Sequence, residues 1–275
     1  MIWLWIACSA VDSGVDPNPL VKDETTIAHD TGTPSLPTID QELVEPSLTP
    51  TQVAEQLSEA LTDLPDPEEV IATYLALMAE GDETCPGSEH IITDTWLYGC
   101  DATTGYSYAG VSDWLEGTFD QGGQVLELNG VAGDFRIDHP DGLRLDVGGH
   151  AVALSNSDMW IGELVGSWHF GQGSPWLVHG YSGHLVVEVI RDTMSRVRGA
   201  INVNGTHLAA RDLMLVAGCG YGPVGGLSLR DANGGWYRMD FAECNNCATV
   251  SFEGTEIGEA CVDFEPLVAS LGAHL

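Results

Sequence analysis

The sequence predicts a mainly β protein, an antiparallel meander closing as a barrel or sandwich, with an N-terminal helical hairpin. Three observations predict it. Apolar residues change their spacing from about 3.6 to about 2 near Cys85. Turn-forming pairs then recur, among them Asn204-Gly205, Asn233-Gly234, Asn245-Asn246 and Glu253-Gly254. An even set of six cysteines accompanies this β region. The 275 residues, 44% of them hydrophobic, supply apolar material for one sizeable core or two small ones.

The chain opens on an apolar stretch, Met1 to Ala10, that contains Cys8 between small Ala7 and Ser9. Residues 1–8 resemble the end of a bacterial lipoprotein signal, whose cysteine becomes a lipidated N-terminus. The resemblance implies lipidation at Cys8 and a membrane as partner through that anchor. Residues 9–48 then read as a disordered acidic tether. Between residues 9 and 50 the chain has six of its 13 prolines, eight acids against Lys22 and no aromatic residue. Such a stretch buries too little surface to offset its ordering entropy and extends by self-repulsion.

Residues 49–81 read as the helical hairpin. Thr49-Pro50-Thr51-Gln52 offers a cap, a first-turn proline and a Gln that closes a capping box, and Val53, Leu57, Leu61 and Leu64 follow at helical spacing. Asp66-Pro67 begins the second helix, with Val70, Ile71, Tyr74, Leu75 and Met78 apolar and Gly81 as the stop. The pair carries seven acids and no base, the pattern of a solvated face behind an apolar stripe.

Residues 82–275 read as the antiparallel β domain of roughly ten to thirteen strands. Asn129-Gly130, Pro140-Asp141-Gly142 and Gly148-Gly149 divide 124–155 into four short strands. Phe135 and Ile137 alternate there with Asp134, Arg136 and Asp138, and Tyr237, Met239 and Phe241 alternate later with Trp236, Arg238 and Asp240. One face is buried and the other is wet. Membrane-spanning strands need ~9–11 residues with a lipid-facing apolar band; these read as shorter, with Asp, Glu, Arg and Ser outward.

Cys85 and Cys100 bracket the entry to the sheet and form the natural local disulfide. Cys219, Cys244, Cys247 and Cys261 sit in the last hairpins, and Cys244-Asn245-Asn246-Cys247 allows a redox pair, a zinc site or disulfides. Disulfides fit best, because an exported domain meets an oxidising compartment.

The net charge of −32, with Lys22 the only lysine, repels phosphate backbones and excludes nucleic acid as a partner. No serine-hydrolase elbow, zinc-protease helix or phosphate loop occurs, so no catalytic residue, metal or cofactor is assigned. Asp138, Asp141 and Asp146 depart from a calcium-loop spacing and are explained by a hairpin turn. Candidate ligand-binding residues cluster on a glycine-rich connection: Trp168, His169, Trp176, His179, Tyr181 and His184. Exposed rings there would stack on a sugar; the alternative is a loop pinned by its own aromatics.

Cys8, the tether and the Cys-stapled sheet resemble the acidic, Gly-, Trp- and Cys-bearing bacterial lipoproteins of myxobacterial type. The resemblance implies a cell-envelope protein, an outer-membrane lipoprotein or a secreted one. Its leading function is non-enzymatic binding or adhesion to a glycan or other cell-surface ligand. An extracellular hydrolase acting on a polymer and a lipid-carrying open barrel, like the lipoprotein-localisation proteins, are the alternatives.

Overall fold

The computed structural model describes residues 45–86, 93–141, 144–170, 180–242 and 244–275. The signal-like segment with Cys8 and most of the tether lie outside these residues. Helix α1 (Pro50–Thr62) opens on the expected capping box, with Thr49 Oγ1 accepting from Gln52 N at 3.3 Å and Gln52 Oε1 from Thr49 N at 2.9 Å. Helix α2 (Pro67–Ala79) opens on Asp66, which accepts from Glu68 N at 2.9 Å. Each cap stabilises by about 1 kcal/mol. Val53, Leu57 and Leu61 of α1 and Val70, Ile71 and Tyr74 of α2 are buried, whereas Leu75 faces solvent.

Twelve antiparallel strands follow, each hydrogen-bonded to its sequence neighbours. They are β1 (Thr93–Asp101), β2 (Ser107–Gln121), β3 (Gln124–Asp138), β4 (Arg144–Ser155), β5 (Met159–Phe170), β6 (Gly180–Ile190), β7 (Met194–Val203), β8 (Thr206–Val216), β9 (Gly222–Arg230), β10 (Trp236–Phe241), β11 (Cys247–Phe252) and β12 (Thr255–Cys261). This is one meander, and it is neither a closed barrel nor a sandwich: among the described residues no ladder joins β1 to β12. The physical reason is that helices take the place of further strands. On one face, called inner here, α1 packs on β8, β9 and β12 and α2 on β3, β4 and β5. The first turn of α1 comes so close to edge strand β12 that a side chain at Gly258 would meet Pro50. A short helix α3 (Glu265–Ser270), within the stretch read as β alone, packs against α1.

Two expected turns are strand interiors. Asn129-Gly130 lies inside the 15-residue β3, and Gly148-Gly149 inside β4. The expectation of short strands therefore fails. Gly130 and Gly149 sit instead where strands approach closely. Gly133, Gly149, Gly166 and Gly183 are register partners in a row across β3 to β6. At Gly166 the backbone has φ +102°, and an added Cβ would lie 2.0 Å from Gly148 O. Neighbouring strands come together there as no L side chain allows, which bends the sheet around the helices.

The inner face carries a single apolar cluster. Phe135 meets Tyr74 edge-on at 5.3 Å and Trp168 at 6.5 Å. Two polar pairs lie at this interface: Tyr74 Oη and Ser112 Oγ lie 2.7 Å apart, and Tyr108 Oη donates to Leu77 O at 2.8 Å. Burial pushes the Tyr108 phenol up to about 12. Three disulfides join Cys85 to Cys100, Cys219 to Cys244 and Cys247 to Cys261. Cys244 and Cys247 thus belong to different bridges, so the CxxC is neither a redox pair nor a zinc half-site. Such bridges are characteristic of an oxidising, extracellular or envelope environment. No helix among the described residues is long and apolar enough to cross a membrane.

Candidate functional site

Of the six residues read as a ligand-binding cluster, Trp176 and His179 lie outside the described residues. Trp168 and Tyr181 are direct cross-strand partners, and both point inward, 0% and 2% exposed. They belong to the core. Burial foremost, with Glu69 and Asp63 adding to it, raises the Tyr181 phenol above its ordinary value. His169 and His184 are exposed, and alternation along the strands sets them on the opposite, outer face.

On that face His184 Nε2 lies 2.9 Å from Glu163 Oε1, and His150 Nε2 lies 3.7 Å from Glu163 Oε2. The imidazoles of His150 and His184 hold the Glu163 carboxyl below its usual range, against partial burial that opposes them. Leu154 and Ile161 pair in register on the same face, as Val165 does with both histidines. No group of three His, Cys, Asp or Glu among the described residues is disposed to hold a metal. Asp138, weighed above for calcium, instead meets Arg136 at 2.9 Å and Arg144 at 2.7 Å.

His169 lies at a trough of about 600 Å³ across β2 to β5. Asp134, Arg136, Asp146, Ser167 and His169 line it around Gly148. Arg136 opposes Asp146 in register and Asp146 opposes His169, so the ladder itself fixes the polar row. Ser167 Oγ lies 3.0 Å from His169 Nδ1. Asp146 lies 4.0 Å from Arg144. The arrangement presents donors and acceptors on rigid strands, suited to hydrogen-bonding a polar ligand.

A second cleft, of about 720 Å³, opens at the β7–β8 and β9–β10 turns, with Gln56, His207, Arg230, Asp231 and Asn233 among its lining residues. Sequence reading passed over it. The available signal was Trp236, which stands at an outward position in the β10 alternation and is 37% exposed. Comparison with protein-family models, curated proteins and solved structures finds no match for this chain.

Proposed function

We propose that the protein is a non-enzymatic binding or adhesion module of the bacterial cell envelope, anchored through lipid on Cys8 and recognising a glycan at the outer face of its sheet. The observation that carries this reading is Gly148. A glycine inside a strand costs about 0.5–1 kcal/mol relative to Ala, and the usual structural reasons for one do not apply here. Gly148 has no positive φ, and an added Cβ would meet nothing within 4 Å. Gly117 of β2 shares these properties, but of the two only Gly148 lies in the polar trough, where bare backbone admits close approach of a ligand. Polar side chains beside it offer the mixed donors and acceptors that sugar hydroxyls require.

The open sheet over helices also has the outline of a lipid carrier. Carriage needs vacant apolar space beneath the helices, whereas buried side chains of α1 and α2 join those of the strands in one cluster. That observation favours the outer face.

The test is a glycan array probed with the full chain and with His169→Ala. Wild-type binding to particular glycans, weakened in His169→Ala at unchanged Tm, is the expected result; equal binding by both chains contradicts the assignment to the trough. Anchoring is tested separately by labelling with a radioactive fatty acid in a bacterial host. Label is expected in the wild type and absent in Cys8→Ser; label retained in the variant contradicts the anchor.

A further inference from the structure

Four outward side chains form a row at one end of the sheet. Asn202 on β7 pairs in register with His207 on β8, His207 with Arg230 on β9, and Arg230 with Trp236 on β10. Their immediate neighbours Ile201, Val203, Leu208, Leu229 and Tyr237 are all buried inward, so the four share the outer face. The row borders the 720 Å³ cleft, which Arg230 and His207 line directly.

The row carries a cation without a carboxylate partner. Acids outnumber Lys and Arg by 41 to 9, and Arg136, Arg144, Arg196, Arg198 and Arg238 each meet a carboxylate within 4.0 Å. Arg191, Arg211 and Arg230 have no such partner among the described residues, and Arg230 lines a cleft. Its neighbour Asp231, which also lines the cleft, makes no ion pair with it among the described residues, its carboxylate being engaged by Ser47 and by its own loop. Asp231 accepts from Ser47 Oγ and from the backbone amides of Asn233 and Gly235. Burial pushes the Asp231 carboxyl up, but these bonds together outweigh it and leave it below its ordinary value.

The remaining groups of the row are fixed. Arg230 Nε donates to Gly234 O at 3.1 Å, which leaves the terminal nitrogens of the guanidinium for a ligand, and the guanidinium sits 5.9 Å from the centre of the Trp236 ring. Asn202 Oδ1 accepts from Gly205 N at 2.8 Å, so its amide nitrogen faces His207 Nε2 at 3.2 Å. An amide nitrogen donates, so His207 Nε2 accepts, and in that tautomer the ring carries its proton on Nδ1. The planar guanidinium fork is the recognition geometry of a carboxylate, and His207 lines the same cleft. The exposed Trp236 ring, beside Arg230 on the outer face, supplies an apolar surface at the border of the cleft, and Thr206 and Asn233 in its lining supply partners for hydroxyl groups.

We infer that this cleft binds a carboxylated sugar of the uronate type, with Arg230 and His207 on the carboxylate and Trp236 against the ring. It is a second site, separate from the trough and independent of it.

Isothermal titration of the full chain with galacturonate, galactose and acetate tests the inference. The expected result is saturable galacturonate binding at least tenfold tighter than either control and weakened by salt. Arg230→Gln, an exposed change, should lose tenfold or more at unchanged Tm, and Trp236→Ala should weaken galacturonate without making acetate its equal. Galactose binding as well as galacturonate overturns the carboxylate assignment; acetate binding as well overturns the sugar assignment. No galacturonate binding, or full binding by Arg230→Gln, overturns the site. Gly148→Leu, which alters only the trough, should retain galacturonate binding, so failure at one site is read separately from failure at the other.

Discussion

Replacing Gly166 by Ala should destabilise the protein severely, while the same change at Gly148, on the neighbouring strand, should not. A Cβ at Gly166 would lie 2.0 Å from Gly148 O and 2.7 Å from Gly149 Cα. Even close C–H···O contacts in sheets stand at about 3.3–3.6 Å, so β4 and β5 would have to part by more than ~1 Å. Strain at the positive φ costs about 1–3 kcal/mol, and disturbing about two ladder hydrogen bonds adds roughly 1 kcal/mol each. The sum is about 3–5 kcal/mol, a large share of a stability of ~5–15 kcal/mol. For a domain of this size it lowers Tm by about 6–20 °C. Gly148→Ala meets open space and restricts the unfolded chain, so it should gain about 0.4–1 kcal/mol. Thermal and urea unfolding followed by circular dichroism give both values. A Gly166→Ala protein as stable as the wild type would refute the curvature argument, as would a Gly148→Ala protein equally damaged.

Three further outcomes follow from the same geometry. Non-reducing peptide mapping should recover Cys85–Cys100, Cys219–Cys244 and Cys247–Cys261; a peptide linking Cys244 to Cys247 contradicts the hairpin arrangement. In the loop-entropy model each bridge stabilises by about 3 kcal/mol, so reduction should lower the urea midpoint markedly. Ser195 Oγ is fully buried on β7 and has no hydrogen-bond partner among the described residues. Ser195→Ala should therefore stabilise by about 1 kcal/mol, and a loss in urea unfolding would mean that the hydroxyl is paired. Glu163 has a folded pKa below that of a free glutamate, about 4.3, so its stabilising effect is present above that value and is lost as pH falls through the depressed one. The urea midpoints of wild type and Glu163→Gln should converge as pH drops from about 5 towards 3; parallel curves contradict the pairing with His150 and His184.

What could be read from the sequence was whatever depends on local chemistry. Thr49, Gln52 and Asp66 cap helices because capping involves residues two or three apart. Alternation around Phe135 and Tyr237 gave the inward faces, and Asn204-Gly205, Asn233-Gly234 and Glu253-Gly254 lie at hairpin ends. Asn129-Gly130 and Gly148-Gly149 have the same local form but sit mid-strand. A glycine needed for a turn and one needed for close strand approach are indistinguishable until register aligns Gly149 with Gly166. Closure was misjudged for a related reason: covering the sheet with α1 and α2 satisfies the same apolar pattern as closing it.

The site was harder still. Trp168 and Tyr181 looked like ligand residues because glycines surround them, yet parity turns them into the core beside Phe135. His169, one residue along from Trp168, takes the opposite parity and reaches the trough. The row from Asn202 to Trp236 unites four strands, and only the ladder brings its members together.

The most direct test of glycan recognition at the outer face is titration of an array-identified glycan into wild type, Gly148→Ala and Gly148→Leu. All three should fold, Ala should weaken binding measurably because its Cβ stands between the ligand and the backbone, and Leu, projecting into the trough, should abolish it. Undiminished binding by a folded Gly148→Leu protein would place glycan recognition away from the trough.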